Sequence, residues 1–167
     1  MKAVLISIRP KWCEKIISGE KTIEVRKTRP KMETPFKGYI YRTKGSVPHI
    51  INGEWVRMEV GGTVIGEFTC DAITRVNICG FWDDSGKQLD NQLKETCLTS
   101  EEFCNYLGEN VGYGWHISDL RVYDHPRELR EFYAVPNEVE VALKAKPKPV
   151  TRPPQSWRYV EEELWND

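Results

Sequence analysis

Short β-prone runs dominate this chain, and they do not alternate regularly with helical segments. Only residues 9–19 and 99–108 show the spacing of apolar residues that is typical of a helix. A doubly wound parallel sheet needs strands and helices in regular alternation. The order therefore predicts a mainly β protein with flanking helices, of the α+β class, built around a small β-barrel. The predicted strands cover residues 2–8, 21–27, 37–43, 49–58, 61–76 and 114–124, with a last strand or extended segment in 155–165.

Glycine and proline mark where this pattern turns. The pair Asn52-Gly53 lies between two β-prone runs and predicts a hairpin within 49–58. Gly66 interrupts the long run 61–76, which predicts a bulge or a sharp bend there. Residues 147–154 contain four prolines and should be extended.

The length of 167 residues suits one domain over 1–167. No apolar stretch is long enough for a membrane span, and the first residues lack the pattern of a signal peptide. The five cysteines are widely spaced without a C-x-x-C pair, so they predict reduced thiols in a cytoplasmic protein. We expect no metal site and no cofactor, because the three histidines also lie far apart in the sequence.

Charge is distributed unevenly along the chain. Residues 1–44 contain twelve Lys and Arg against four Asp and Glu, a balance of +8, although the whole chain has a net charge of −1. Such asymmetry can produce a local positive field for a phosphate-bearing partner. Scattered solvated lysines would give the same count, so the charge alone does not decide between the two interpretations.

The segment "GEKTIEVRK" at 19–27 combines alternation with charge. Ile23 and Val25 fall on one face of the predicted strand, and Glu24 and Arg26 share the other. We expect Ile23 and Val25 to be buried, and Glu24 and Arg26 to point into a shared polar cleft with Lys21 at the strand entrance. A structural salt bridge would also satisfy this geometry.

This segment resembles the G-x-K-x-x-E-x-R signature of the ASCH domain family, which has a PUA-like fold. Gly19, Lys21, Glu24 and Arg26 match it position by position. The "RPKW" helix before the motif, the strand "GTVIGEF" and the late "GWHISD" agree with the same pattern. The resemblance covers most of the chain, with residues 44–60 and 80–98 as variable insertions.

The resemblance implies a PUA-like β-barrel with a cleft near the motif and a role in RNA binding. Some small ASCH proteins are instead amidohydrolases acting on N4-acylated cytidine through a Lys, a Thr and a Glu. Their Lys matches Lys21, but Glu24 stands where they have the nucleophilic Thr, and Glu95 lies roughly where they have their Glu. The hydroxyl for acyl-enzyme chemistry is therefore missing, although Glu24 could activate water beside Lys21.

Aromatic residues late in the chain provide possible stacking surfaces for bases. Trp115, Trp157 and Tyr159 lie beside His116 and Arg158 in the sequence. Core packing is the other interpretation for each of them.

Together these patterns predict a binding module for RNA, a nucleotide or a nucleoside. Lys21, Glu24, Arg26, Arg9 and Trp115 are the candidate ligand-binding residues. The alternatives are a small amidohydrolase on a modified nucleoside, with Lys21 and Glu24 as catalytic residues, and a motif that is purely structural. We expect no membrane partner, and the sequence leaves the oligomeric state open.

Overall fold

The chain divides into two compact units in the computed structural model, which describes residues 1–90 and 92–161. The first unit combines 1–13, 37–67 and the chain from 121, and the second combines 14–36 with 68–120 apart from Asn91. Three elements pass from one unit to the other: helix α1 (Pro10–Ile17), strand β6 (Thr63–Asn77) and strand β9 (Gly112–Arg127).

Strand β1 (Lys2–Ile8) is the centre of the first unit. It pairs in parallel with β3 (Phe36–Arg42) and antiparallel with β10 (Trp157–Glu161). Residues 3–8 are all buried, as their apolar run predicts. The core of this unit includes Tyr39 and Phe132, whose rings meet edge to face with centroids 4.9 Å apart.

The predicted hairpin is confirmed within the first unit. Strands β4 (Gly45–Ile51) and β5 (Glu54–Val60) pair antiparallel as a separate two-stranded sheet. Both turn residues have positive φ, 52° at Asn52 and 83° at Gly53, as a tight two-residue turn requires.

In the second unit, β2 (Ile23–Arg26) pairs antiparallel with β9, while β6 pairs with β7 (Gly80–Trp82) and β7 with β8 (Gln88–Leu89). Helix α3 (Ser100–Leu107) begins with a capping box formed by Thr99 and Glu102. The Thr99 side chain accepts from the amide of Glu102, and the Glu102 carboxylate accepts from the amide of Thr99. The short helices α2 (Leu93–Thr96) and α4 (Glu138–Ala142), of which α4 belongs to the first unit, were not predicted.

The α+β class is confirmed, but the closed barrel is wrong. The strand order is β10-β1-β3-β6-β7-β8, with β9 between β6 and β2. Within residues 1–90 and 92–161, no pairing joins β10 to β8 or β2. The fifteen residues of β6 are enough to pair with β3, β7 and β9, so the sheet branches at β6 instead of closing.

Gly66 lies inside β6, and the bulge or sharp bend expected there stays a prediction. The strand is continuous, and a Cβ at Gly66 would lie 2.5 Å from the carbonyl oxygen of Arg121. Glycine is needed here because another backbone approaches closely. In helix α1, Cys13 and Ile16 are buried, whereas Ile17 is 41% exposed.

The last predicted segment is described only in part. Strand β10 ends at Glu161, and residues 162–165 of the predicted segment lie outside the described residues. No helix in the described part of the chain is long and apolar enough to cross a membrane.

Candidate functional site

The charged residues of the motif lie on β2 and just before it, and they are brought together as predicted, but they are buried. The Glu24 carboxylate bridges two cations, with Oε1 2.8 Å from Arg26 Nη2 and Oε2 3.2 Å from Lys21 Nζ. Ile23 and Val25 are buried, and so are Lys21, Glu24 and Arg26. Strict alternation therefore predicts which charges meet, but both faces of this strand are covered.

Lys21 makes the contacts that fix the entrance of β2. Its ammonium donates to the carbonyl oxygens of Ile23 at 2.9 Å and Thr96 at 2.6 Å, in addition to its pairing with Glu24. An ammonium has three N–H donors, so these three acceptors match its capacity. Lys21 thereby ties β2 to the last residue of α2.

Trp115 does not offer a stacking surface. Its ring has no exposed area and meets the ring of Phe36 edge to face, with centroids 5.7 Å apart. The predicted role of Trp115 in stacking on a base is therefore wrong, because core packing already uses the ring. Arg9 is exposed and lies in the first unit, where its carbonyl oxygen accepts from the amides of Trp12 and Cys13.

Glu95 and His116 lie in the same unit as the motif. The carbonyl oxygen of Glu95 accepts from the amide of Thr22 at 3.0 Å, while its side chain is exposed. His116 Nε2 lies 3.4 Å from Thr74 Oγ1. Burial lowers the pKa of His116, and the negative charges of Asp71 and Glu95 oppose this shift. His116 therefore favours the neutral form.

A cavity of about 580 Å³ opens directly after β2. Its wall is one continuous loop, residues 27–33, completed by Tyr113 of β9. We call this cavity the loop pocket. It contains the cations Lys27, Arg29 and Lys31. Sequence reasoning missed it because 27–35 reads as a proline-containing connection, although the alternating cations of Lys27, Arg29 and Lys31 were a usable signal.

Two glycines place Tyr113 at the loop pocket. Gly112 and Gly114 are buried, and a Cβ on Gly114 would lie 2.8 Å from Thr74 Oγ1 and 2.9 Å from Ile23 Cγ2. Side chains alternate along a strand, so Tyr113 projects from the opposite face of β9. The β2–β9 register pairs Tyr113 with Arg26, and this places its ring beside the start of the loop.

Cations lie over tyrosine rings around the loop pocket. The Arg29 guanidinium is 6.0 Å from the ring centroid of Tyr113, and Lys27 Nζ is 5.2 Å from that of Tyr106. Burial raises the pKa of the Tyr106 hydroxyl, and the charges of Arg26 and Glu24 act on it with opposite signs. Tyr106 thus has Lys27 over its ring and lies within electrostatic reach of Glu24 and Arg26.

An acid from outside the loop, Asp84, contacts the loop pocket. Asp84 Oδ1 lies 3.0 Å from Arg29 Nη1. In the described ranges, no three His, Cys, Asp or Glu side chains come together in a way that could hold a metal ion.

Solved structures of an ASCH protein from Zymomonas mobilis have a similar fold. This ASCH protein matches with a TM-score of 0.61 at 19% sequence identity, over 96% of this chain and 88% of that one. The chain has an ASCH-like fold. Two mutants of the same protein match with TM-scores of 0.61 and 0.59 at 18% identity, over 97% and 96% of this chain and 92% and 89% of theirs. No family model and no curated protein sequence matches the chain.

Proposed function

We propose that this ASCH-like chain binds single-stranded RNA or a nucleotide at the loop pocket. The observation that carries the proposal is the grouping of three cations and Tyr113 around one cavity of about 580 Å³. Small-molecule sites in proteins have volumes of roughly 300–1,000 Å³. A single nucleotide, or one nucleotide of a strand, matches that scale.

The chemistry of the lining fits the two parts of a nucleotide. Lys27, Arg29 and Lys31 can pair with phosphate oxygens, and arginine can do so through two parallel N–H donors. Tyr113 can take a base against its ring, a contact worth about 1–3 kcal/mol per base. Neither contact depends strongly on base identity, so the loop pocket favours weak sequence preference.

In this proposal the buried motif positions the ligand-binding loop. Arg26 is the last residue of β2, and Lys27 is the first residue of the loop pocket. The ion pairs of Glu24 with Lys21 and Arg26 hold the strand from which the loop departs. In this proposal the cations that follow the motif, and not the motif residues themselves, contact the ligand directly.

The experiment compares two charge-matched triple variants in binding to a fluorescein-labelled twelve-nucleotide oligouridylate at low salt. One variant combines Lys27→Gln, Arg29→Gln and Lys31→Gln, and we expect at least a tenfold loss of affinity. The control combines Lys144→Gln, Lys146→Gln and Arg152→Gln, all at exposed positions of the first unit. Both variants lower the net charge equally, so an equal loss in the two would contradict binding at the loop pocket.

A further inference from the structure

Arg29 of the loop pocket is held by an acid from another part of the second unit. Its Nη1 donates to Asp84 Oδ1 at 3.0 Å. The Asp84 side chain is 67% exposed, and that of Arg29 is 30% exposed. The pair is therefore accessible to solvent and to an incoming ligand.

The turn that carries Asp84 is built independently of Arg29. Asp83 Oδ1 accepts from the amides of Ser85 and Lys87 at 2.9 and 3.0 Å, and from the Ser85 hydroxyl at 2.6 Å. The carbonyl oxygen of Asp83 also accepts from the amide of Gly86. Asp83 thus fixes the turn, whereas the carboxylate of Asp84 is turned toward Arg29.

We propose that Asp84 occupies, in the free protein, the position at which a ligand phosphate binds Arg29. This inference rests on the proposed function. A carboxylate and a phosphate offer a guanidinium the same kind of acceptor oxygens, so they compete for the same N–H donors. Binding then exchanges one ion pair for another: the Arg29–Asp84 contact opens, and the Asp84 carboxylate returns to water.

This exchange makes Asp84 an intramolecular competitor that lowers the affinity of the loop pocket. The cost of breaking the pair is small because both groups are partly exposed. Removing the carboxylate should also remove its repulsion of the incoming phosphate. We expect Asp84→Asn to bind RNA about two- to fivefold more tightly than the unchanged chain at low salt.

The test is a double-mutant cycle on Arg29 and Asp84, read with the same labelled oligouridylate. Wild type, Asp84→Asn, Arg29→Gln and the double variant are titrated at low salt, with far-ultraviolet circular dichroism to check folding. Asp124→Asn is the matched control, because Asp124 is exposed and lies in the first unit. The expected result is tighter binding by Asp84→Asn alone, with no gain in the Arg29→Gln background or from Asp124→Asn.

Each other outcome identifies what fails. If wild type binds and Asp84→Asn leaves the affinity unchanged, the competition is overturned while the proposed function stands. An equal gain with Arg29→Gln present, or from Asp124→Asn, would show a general charge effect and overturn the competition as well. If neither wild type nor Asp84→Asn binds the probe, the proposed function itself fails.

Discussion

At the scale of single residues, burial changes what the charged motif can do. Lys21 is 2% exposed and Glu24 is 7% exposed, so a ligand could reach them only if their neighbours moved. A buried ion pair contributes little net stability compared with apolar residues, but loss of one partner leaves a charge without compensation. The motif is therefore sensitive to single substitutions although it lies away from the ligand in our proposal.

Lys21→Met should lower the free energy of unfolding by about 3–5 kcal/mol. Methionine keeps most of the side-chain volume, but the carbonyl oxygens of Ile23 and Thr96 lose their donor and Glu24 loses one cation. Urea unfolding followed by tryptophan fluorescence measures the change. Lys15→Met is the control: Lys15 pairs with Glu20 at an exposed position, so we expect no measurable change there.

A loss in Lys21→Met no larger than in Lys15→Met would contradict a structural role for the buried network. It would return Lys21 to the group of candidate ligand contacts. The two substitutions are the same in type and lie six positions apart, around α1 and β2, so the comparison isolates the effect of burial.

At the scale of elements, the crowding between β2, β6 and β9 decides where Tyr113 lies. Gly114→Ala would place a Cβ within 3 Å of Thr74 Oγ1 and Ile23 Cγ2. Overpacking of this kind costs about 1–3 kcal/mol in the free energy of unfolding. Gly45→Ala is the comparison, because its Cβ would come no closer than 3.2 Å to Pro10 Cγ. We expect Gly45→Ala to lower the thermal unfolding midpoint less than Gly114→Ala does. Equal decreases would show that crowding at Gly114 does not cause the loss of stability.

Strand positions were predictable because their signal is local, whereas pairing and short elements depend on distant contacts. The runs that became β1 and β3 carry β-branched and aromatic residues between turn signals, and they were identified within one or two residues. Helix α2 has four residues, and its end is held by Lys21, which is 75 positions away from Thr96. No local pattern encodes such a contact.

In the candidate site, too, the local contacts were predictable from the sequence, whereas burial by distant elements was not. Alternation in 22–26 correctly placed Glu24 beside Arg26. It could not show that both faces of β2 would be covered. Trp115 shows the same limit, since an aromatic residue suits a core as well as a stacking surface.

At the scale of the whole molecule, the basic N-terminal stretch is divided between the two units. Residues 1–13 and 37–44 belong to the first unit, and 14–36 to the second. The balance of +8 over 1–44 is thus not the charge of the loop pocket, which has three cations and Glu33. The salt dependence of RNA binding distinguishes contact through the three cations of the loop pocket from contact through the whole basic stretch 1–44.

The logarithm of the association constant should fall with the logarithm of salt concentration with a slope of about −2. Each phosphate neutralised on a single strand contributes roughly 0.7 to this slope, and the loop pocket offers three cations. Contact through the full excess of +8 would give about −5 to −6. Titrations of the labelled oligouridylate between about 20 and 200 mM potassium chloride measure the slope, and the steeper value would contradict a site limited to the loop pocket.

The pairing of β1 with β10 also governs the order in which the chain can fold during synthesis. Lys2 pairs with Glu161, so these two neighbours in the sheet are made at widely separated times. The second unit ends at Leu120 and has all its residues before β10 is translated. One edge of β1 therefore has unpaired amides and carbonyls until β10 has been synthesised. A chain that stops before residue 157 would keep this edge unpaired and available for aggregation.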